Sequence, residues 1–160
     1  QVDQVRNLIA HWVVGGYDYL FSVDSDISFP SDTLAKLLSH DVDVVCGLYI
    51  QRIPGTHTLE LYESTGLGGM KTIPIEKLPI NSLYPIAGCG FGCTLVKREV
   101  LVSVGYPQFQ YFSAINHKDT VSEDVDFCRK ANEKGFKIFA DTSILCGHTG
   151  KFTFEVFNCS

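Results

Sequence analysis

Between Tyr17 and Ile50 the chain alternates in a way that few folds accommodate. Tyr17-Asp18-Tyr19-Leu20-Phe21-Ser22-Val23 is an apolar run of strand length that stops on two carboxylates one residue apart, Asp24 and Asp26. Phe29-Pro30-Ser31-Asp32 then breaks the chain and offers Ser31 as an N-cap. Leu34, Leu37 and Leu38 mark the inner face of a short helix ending near His40. Asp43 to Ile50 (Asp-Val-Val-Cys-Gly-Leu-Tyr-Ile) reads as a second buried strand. Strand, helix and strand at this spacing predict a right-handed βαβ crossover with parallel strands. The expected class is therefore α/β, with a mostly parallel central sheet and flanking helices.

A buried strand ending in Asp-x-Asp carries both acids to the open edge of such a sheet, where ligands of open α/β folds bind. Carboxylates are hard oxygen ligands suited to Mg²⁺ or Mn²⁺, and such an ion can hold a diphosphate. Two neighbouring acids are more often solvated loop residues, so the rest of the chain has to discriminate.

Val2, Val5, Leu8 or Ile9, Trp12 and Val13 recur at helical spacing, which predicts an amphipathic helix over residues 1–14, stopped by Gly15-Gly16. A strand normally precedes such a helix in a βαβ unit, so the sheet is expected to lack its first strand in this segment. Residues 51–79 carry little periodicity beyond a weak alternation at Leu59-Glu60-Leu61-Tyr62, and read as a mobile or substrate-dependent segment. Strands are expected at 80–86 and 92–96 around the glycine-rich Gly88-Cys89-Gly90-Phe91-Gly92, then a helix from Lys97 to Val104 closed by Gly105. Ser122 caps a further helix, with Glu123, Asp124 and Asp126 in its first turn and Gly135 closing it. Residues 136–140 form another strand, and 146–151 a polar turn. No internal repeat or linker interrupts what reads as one domain over residues 1–160, complete or part of a longer protein.

Composition narrows the function classes. Apolar residues make up 45% and charged residues 19% of the 160, as in an ordinary globular domain rather than a disordered one. A net charge of −5 leaves no basic footprint for nucleic acid. No apolar run approaches the roughly 20 residues of a membrane helix. The six cysteines lie in strand and helix contexts without a Cys-x-x-Cys pair. They read as buried reduced thiols, which favours a cytoplasmic protein.

Four features could carry chemistry. They are the Asp24/Asp26 pair, the glycine run, Ser122-Glu123-Asp124 at a helix start, and His148-Thr149-Gly150-Lys151. The glycines let backbone approach a ligand, or simply form a tight turn. An acid in a first helical turn either stabilises the helix or serves as a general base. A His flanked by glycine can approach a metal, and Lys151 can neutralise phosphate.

In this order the four resemble the GT-A nucleotide-sugar glycosyltransferases, close to the family 2 type, over roughly residues 5–152. Arg6-Asn7 also fits that family's first helix. The resemblance implies a metal-dependent enzyme using Mn²⁺ or Mg²⁺, a UDP- or GDP-linked sugar as donor, and a glycan or other hydroxyl compound as acceptor. It implies that Asp26 and His148 bind the metal, with Asp24 near the metal or the ribose. Ser25, Arg6, Arg52, Gly90 and Lys151 would contact the donor, with Tyr49 and Gln51 as further candidates. Asp124 would be the base of an inverting displacement, with Glu123 its neighbour. Two rival readings share these residues: a nucleotide-sugar-binding module without activity, and a metal-dependent nucleotidyltransferase. No basic triphosphate-binding glycine loop supports the second.

Overall fold

A computed structural model describes residues 2–53, 55–66, 69–113, 120–150 and 153–154. In chain order the elements are α1 (Val2–Gly16), β1 (Tyr19–Val23), β2 (Ile27–Ser28), α2 (Thr33–Ser39), β3 (Val44–Leu48), β4 (Leu61–Ser64) and β5 (Met70–Thr72). After a 3₁₀ turn (Ile75–Lys77) come β6 (Leu83–Ile86), β7 (Gly88–Cys89), β8 (Cys93–Lys97), α3 (Arg98–Val104), β9 (Phe112–Ser113) and β10 (Thr120–Val121). The described chain ends with α4 (Glu123–Glu133), β11 (Ile138–Leu145), β12 (Gly147–Thr149) and β13 (Thr153–Phe154).

The central sheet runs β1-β8-β3-β11-β6, with β1 at one edge. It is mixed, not mostly parallel: β3 and β11 pair in parallel, whereas β1–β8, β8–β3 and β11–β6 are antiparallel. The expected βαβ unit is there in sense but not in adjacency. β1 and β3 point the same way, yet β8 lies between them, pairing Leu20 with Val96 on one side and Val44 with Val96 on the other.

Helix α1 forms where expected but turns a different face inward. Its buried residues are Asn7, Ala10 and Val13, while Val5 and Trp12 are 56% and 60% exposed. The inner stripe is small and polar because Asn7 has a specific task. Its amide donates to the Phe109 carbonyl at 2.7 Å and accepts from the Phe109 N–H at 3.0 Å, clamping α1 to the segment after α3. In α2 the cap is Asp32 rather than Ser31, and of the three leucines only Leu37 is buried.

The weakly patterned 51–79 region supplies core rather than a mobile flap. Leu59, Leu61 and Ile73 are buried, and β4 pairs with both β5 and β7 in a second small sheet. The segment after Cys146 is likewise a strand, β12, held between β2 and β13, and not a polar turn. β11 extends to Leu145, well beyond the expected 136–140.

Under the glycine run sits an aromatic cluster. Phe109 and Phe127 stack at 4.9 Å, and Phe91 meets both edge-on at 5.1 and 5.2 Å. All three are buried, so Phe91 anchors the Gly88–Gly92 turn from below. The five cysteines among the described residues, Cys46, Cys89, Cys93, Cys128 and Cys146, are buried free thiols, as expected; Cys159 lies outside them. Among the described residues no helix is long and apolar enough to cross a membrane.

Candidate active site

Both acids of the opening motif leave the end of β1, but the turn that follows sends them apart. The Asp24 N–H donates to the Gly92 carbonyl at 3.1 Å, and the Ile27 N–H to the Asp24 carbonyl at 3.0 Å. Within this tight turn Ser25 is exposed at the tip, Asp24 faces helix α1, and Asp26 faces β12.

The Asp26 side is set by strand register. β12 pairs His148 with Ile27, and the Thr149 N–H donates to the Asp26 carbonyl at 2.7 Å. Asp26 Oδ2 therefore lies 3.6 Å from His148 Nε2. The other ring nitrogen, Nδ1, is 2.8 Å from the Ile50 carbonyl oxygen, so the proton belongs on Nδ1 and the Nε2 lone pair faces Asp26. A metal-ligating imidazole is ordinarily oriented by such a hydrogen bond. Tyr49 packs edge-on against the ring at 5.5 Å. Arg52 Nη1 holds the same Asp26 oxygen at 2.8 Å.

The Asp24 side is organised by Arg6. Its guanidinium donates to Glu123 Oε1 at 2.5 Å and to Asp24 Oδ1 at 3.2 Å, and lies 3.9 Å from Asp124 Oδ2. The same group sits 5.6 Å from the centroid of the Phe91 ring. Asp124 opens α4, and its Oδ1 accepts from the Ser122 hydroxyl and from the Val125 N–H. Its Oδ2 lies beside the Arg6 fork and accepts no hydrogen bond among the described residues. Tyr111 stands over Glu123; burial first, and then hydrogen bonding to that carboxylate, push its phenol up to about 12.

Glu60 lies immediately before β4. Its backbone is locked to both flanks, with its N–H donating to the Tyr49 carbonyl at 3.1 Å and its carbonyl accepting from Gly90 at 3.0 Å. Tyr62 Oη donates to Glu60 Oε2 at 2.6 Å. Burial holds the Glu60 carboxyl above its usual range. The nearby Asp124 charge adds to that rise, while Tyr62, Gln51 and His148 oppose it.

The glycine run has a packing reason. A Cβ on Gly90 would collide with the Tyr49 hydroxyl, and one on Gly92 would lie 2.8 Å from the Tyr49 ring. That hydroxyl accepts the Gly92 N–H at 3.0 Å. Gly90 is therefore filled by Tyr49 from beneath, and burial drives the Tyr49 phenol well above its usual range.

The residues expected at the site thus fall into two groups. Asp26, His148 and Arg52 meet at one end; Arg6, Asp24, Glu123 and Asp124 meet at the other. Asp24 is bonded to Arg6 and not to the Asp26–His148 pair. Lys151 lies outside the described residues. Glu60, Tyr62 and Tyr111 are functional candidates that periodicity alone did not single out, although the alternation at 59–62 was the available signal. Among the described residues no cluster of three or more His, Cys, Asp or Glu forms a ready metal cage. The protein donors on offer are one carboxylate and one oriented imidazole, a set that suits Mn²⁺ when a ligand's phosphates and water complete the shell.

These elements make a mixed α/β fold. Among solved structures the chain is similar to A197 from STIV, with a TM-score of 0.68 and 21% identity over 99% of this chain and 77% of that one. It is also similar to GalNAc-T7 solved with UDP, GalNAc and Mn²⁺, with a TM-score of 0.62 and 15% identity over 91% of this chain. The match spans 30% of the GalNAc-T7 chain. At these identities the likeness is one of fold. No protein-family model matches the chain, and no curated protein sequence does.

Proposed function

We propose that the chain is the catalytic domain of a metal-dependent glycosyltransferase that moves a sugar from a UDP- or GDP-linked donor to an acceptor hydroxyl with inversion. The observation that supports this reading is the Asp26–His148 pair and the Arg6–Asp24–Asp124 cluster meeting at the one turn after β1, in a fold shared with a glycosyltransferase solved with UDP and Mn²⁺.

In this reading Asp26 and His148 Nε2 hold the divalent ion, which when bound supplies positive charge for the leaving diphosphate. Arg52, now on Asp26, turns to the donor phosphates. Arg6 and Asp24 border the donor sugar. Asp124 Oδ2 accepts the proton of the acceptor hydroxyl, whose oxygen bonds to the anomeric carbon as the carbon–oxygen bond to the nucleoside diphosphate breaks. Ser122 and the Val125 N–H hold the other carboxylate oxygen, so the base presents Oδ2 in a fixed orientation.

Two substitutions test this. Asp26→Ala is expected to abolish Mn²⁺-supported binding of UDP or GDP by calorimetry, and unchanged binding would remove Asp26 from the metal site. Asp124→Asn is expected to bind donor normally and to lose transfer; wild-type turnover in that variant would sink its role as base. The competing reading is a nucleotide-sugar-binding module without activity, favoured by the Arg52 hold on Asp26. A panel of nucleotide sugars with Mn²⁺, read by thermal shift and then by release of free nucleoside diphosphate, separates the two.

A further inference from the structure

Arg52 and His148 face the same oxygen. Asp26 Oδ2 lies 2.8 Å from Arg52 Nη1 and 3.6 Å from His148 Nε2. One strand end places both neighbours. The Ile50 carbonyl, 2.8 Å from His148 Nδ1, orients the imidazole, and Arg52 follows two residues later. The backbone between them is pinned: Ile50 bridges to Leu59, and the Gln51 N–H donates to the Thr58 carbonyl at 2.8 Å. The Arg52 side chain is half exposed and that of Asp26 is 29% exposed. An ion pair this open to water is weak, and a long side chain can leave it by rotation alone. A metal ion held by Asp26 Oδ2 and His148 Nε2 has to take the oxygen that the guanidinium now holds.

We propose that Arg52 is a built-in counter-ion that keeps Asp26 from free divalent metal and yields it when a nucleoside diphosphate arrives with the metal. This rests on the transferase reading and concerns regulation of the same site. Metal at Asp26 neutralises the carboxylate and loosens its hold on the guanidinium. A diphosphate offers that planar fork a bidentate and more highly charged partner. Metal and diphosphate therefore bind better together than apart, and the gain is reciprocal. The Arg52–Asp26 pair is then the resting state of the site, and not the mark of an inactive one.

The test has two measurements. Mn²⁺ binding to the chain alone is read from the electron paramagnetic resonance signal of the free ion, and UDP or GDP binding at saturating Mn²⁺ is read by calorimetry. Arg52→Gln is expected to bind Mn²⁺ alone about fivefold more tightly, as for removal of an exposed competing ion pair. The same variant is expected to bind the diphosphate about tenfold more weakly, as for loss of a charge-assisted hydrogen bond. Arg52→Lys should move both values back towards the wild type. The metal affinity should recover further than the diphosphate affinity, because an ammonium keeps the charge but not the fork. An arginine with a merely structural role would, on removal, weaken both ligands or neither, and either result overturns the proposal. If the wild type binds neither UDP nor GDP with Mn²⁺, the transferase reading fails and takes the proposal with it. Unchanged Mn²⁺ affinity in Arg52→Gln, beside normal diphosphate binding by the wild type, overturns the proposal alone.

Discussion

Arg6 is the residue on which the acidic half of the site depends. Three carboxylates, those of Asp24, Glu123 and Asp124, converge on one guanidinium, and the Arg6 and Glu123 side chains are only 11% and 6% exposed. Removing the cation would leave the Glu123 carboxylate buried without its counter-ion, a situation that costs about 3 kcal/mol or more in other proteins. Arg6→Gln is therefore expected to lower unfolding stability by roughly that amount, measured by urea denaturation at neutral pH. Arg6→Lys should recover only part of it, because an ammonium cannot reach Glu123 and Asp24 as a planar fork does. A full rescue by lysine would mean that charge alone, and not the fork, holds the cluster. The residue was legible in the sequence only through its family position. That it ties the first acid of the motif to α4 is a product of folding, since Arg6 and Glu123 are 117 positions apart.

At the scale of elements, what the sequence revealed and what it hid have physical causes. β3, α3 and α4 were readable because local signals agree: a run of buried apolar residues, and helices closed by Gly105 and Gly135 at positive φ. The sheet order was not readable. A βαβ pattern specifies strand direction, but it carries no information about a strand arriving later, and β8 inserts between β1 and β3 through non-local pairing. The face of α1 was misread for a related reason. Hydrophobic spacing marked the large residues, whereas the inward face is chosen by the Asn7 clamp on Phe109 and by the small Ala10. The glycine run was legible as a close approach of backbone, but the partner beneath it, Tyr49, was invisible because it comes from another strand end. Its consequence is testable. Gly90→Ala places a methyl group against the Tyr49 hydroxyl and is expected to destabilise by about 1–3 kcal/mol. In a Tyr49→Phe background part of that cost should vanish, and a double-mutant cycle showing no coupling would mean that the turn relaxes elsewhere.

At the scale of the whole molecule, a hydrogen bond between an imidazole and a carboxylate ties the end of α2 to β11. His40, which ends α2, places Nε2 2.8 Å from Asp141 Oδ2 in β11, and Asp141 Oδ1 accepts from the Ser143 N–H and hydroxyl at 2.8 and 2.7 Å. Burial alone would raise the Asp141 carboxyl. The bonds from His40 and Ser143 outweigh it and hold the carboxyl below its usual range. A carboxylate depressed in the folded state binds protons more readily once unfolded, so it contributes stability above its unfolded pKa of about 3.9. That contribution is lost as pH falls below about 4 and through the folded value. Global unfolding followed by denaturant at a series of pH values should therefore show stability falling on the acid side. Asp141→Asn should be less stable at neutral pH by about 1–3 kcal/mol, with a flatter acid limb. His40→Gln should keep the limb but weaken it, because the two Ser143 bonds remain. An acid limb of equal steepness in Asp141→Asn would assign the pH dependence to other carboxylates.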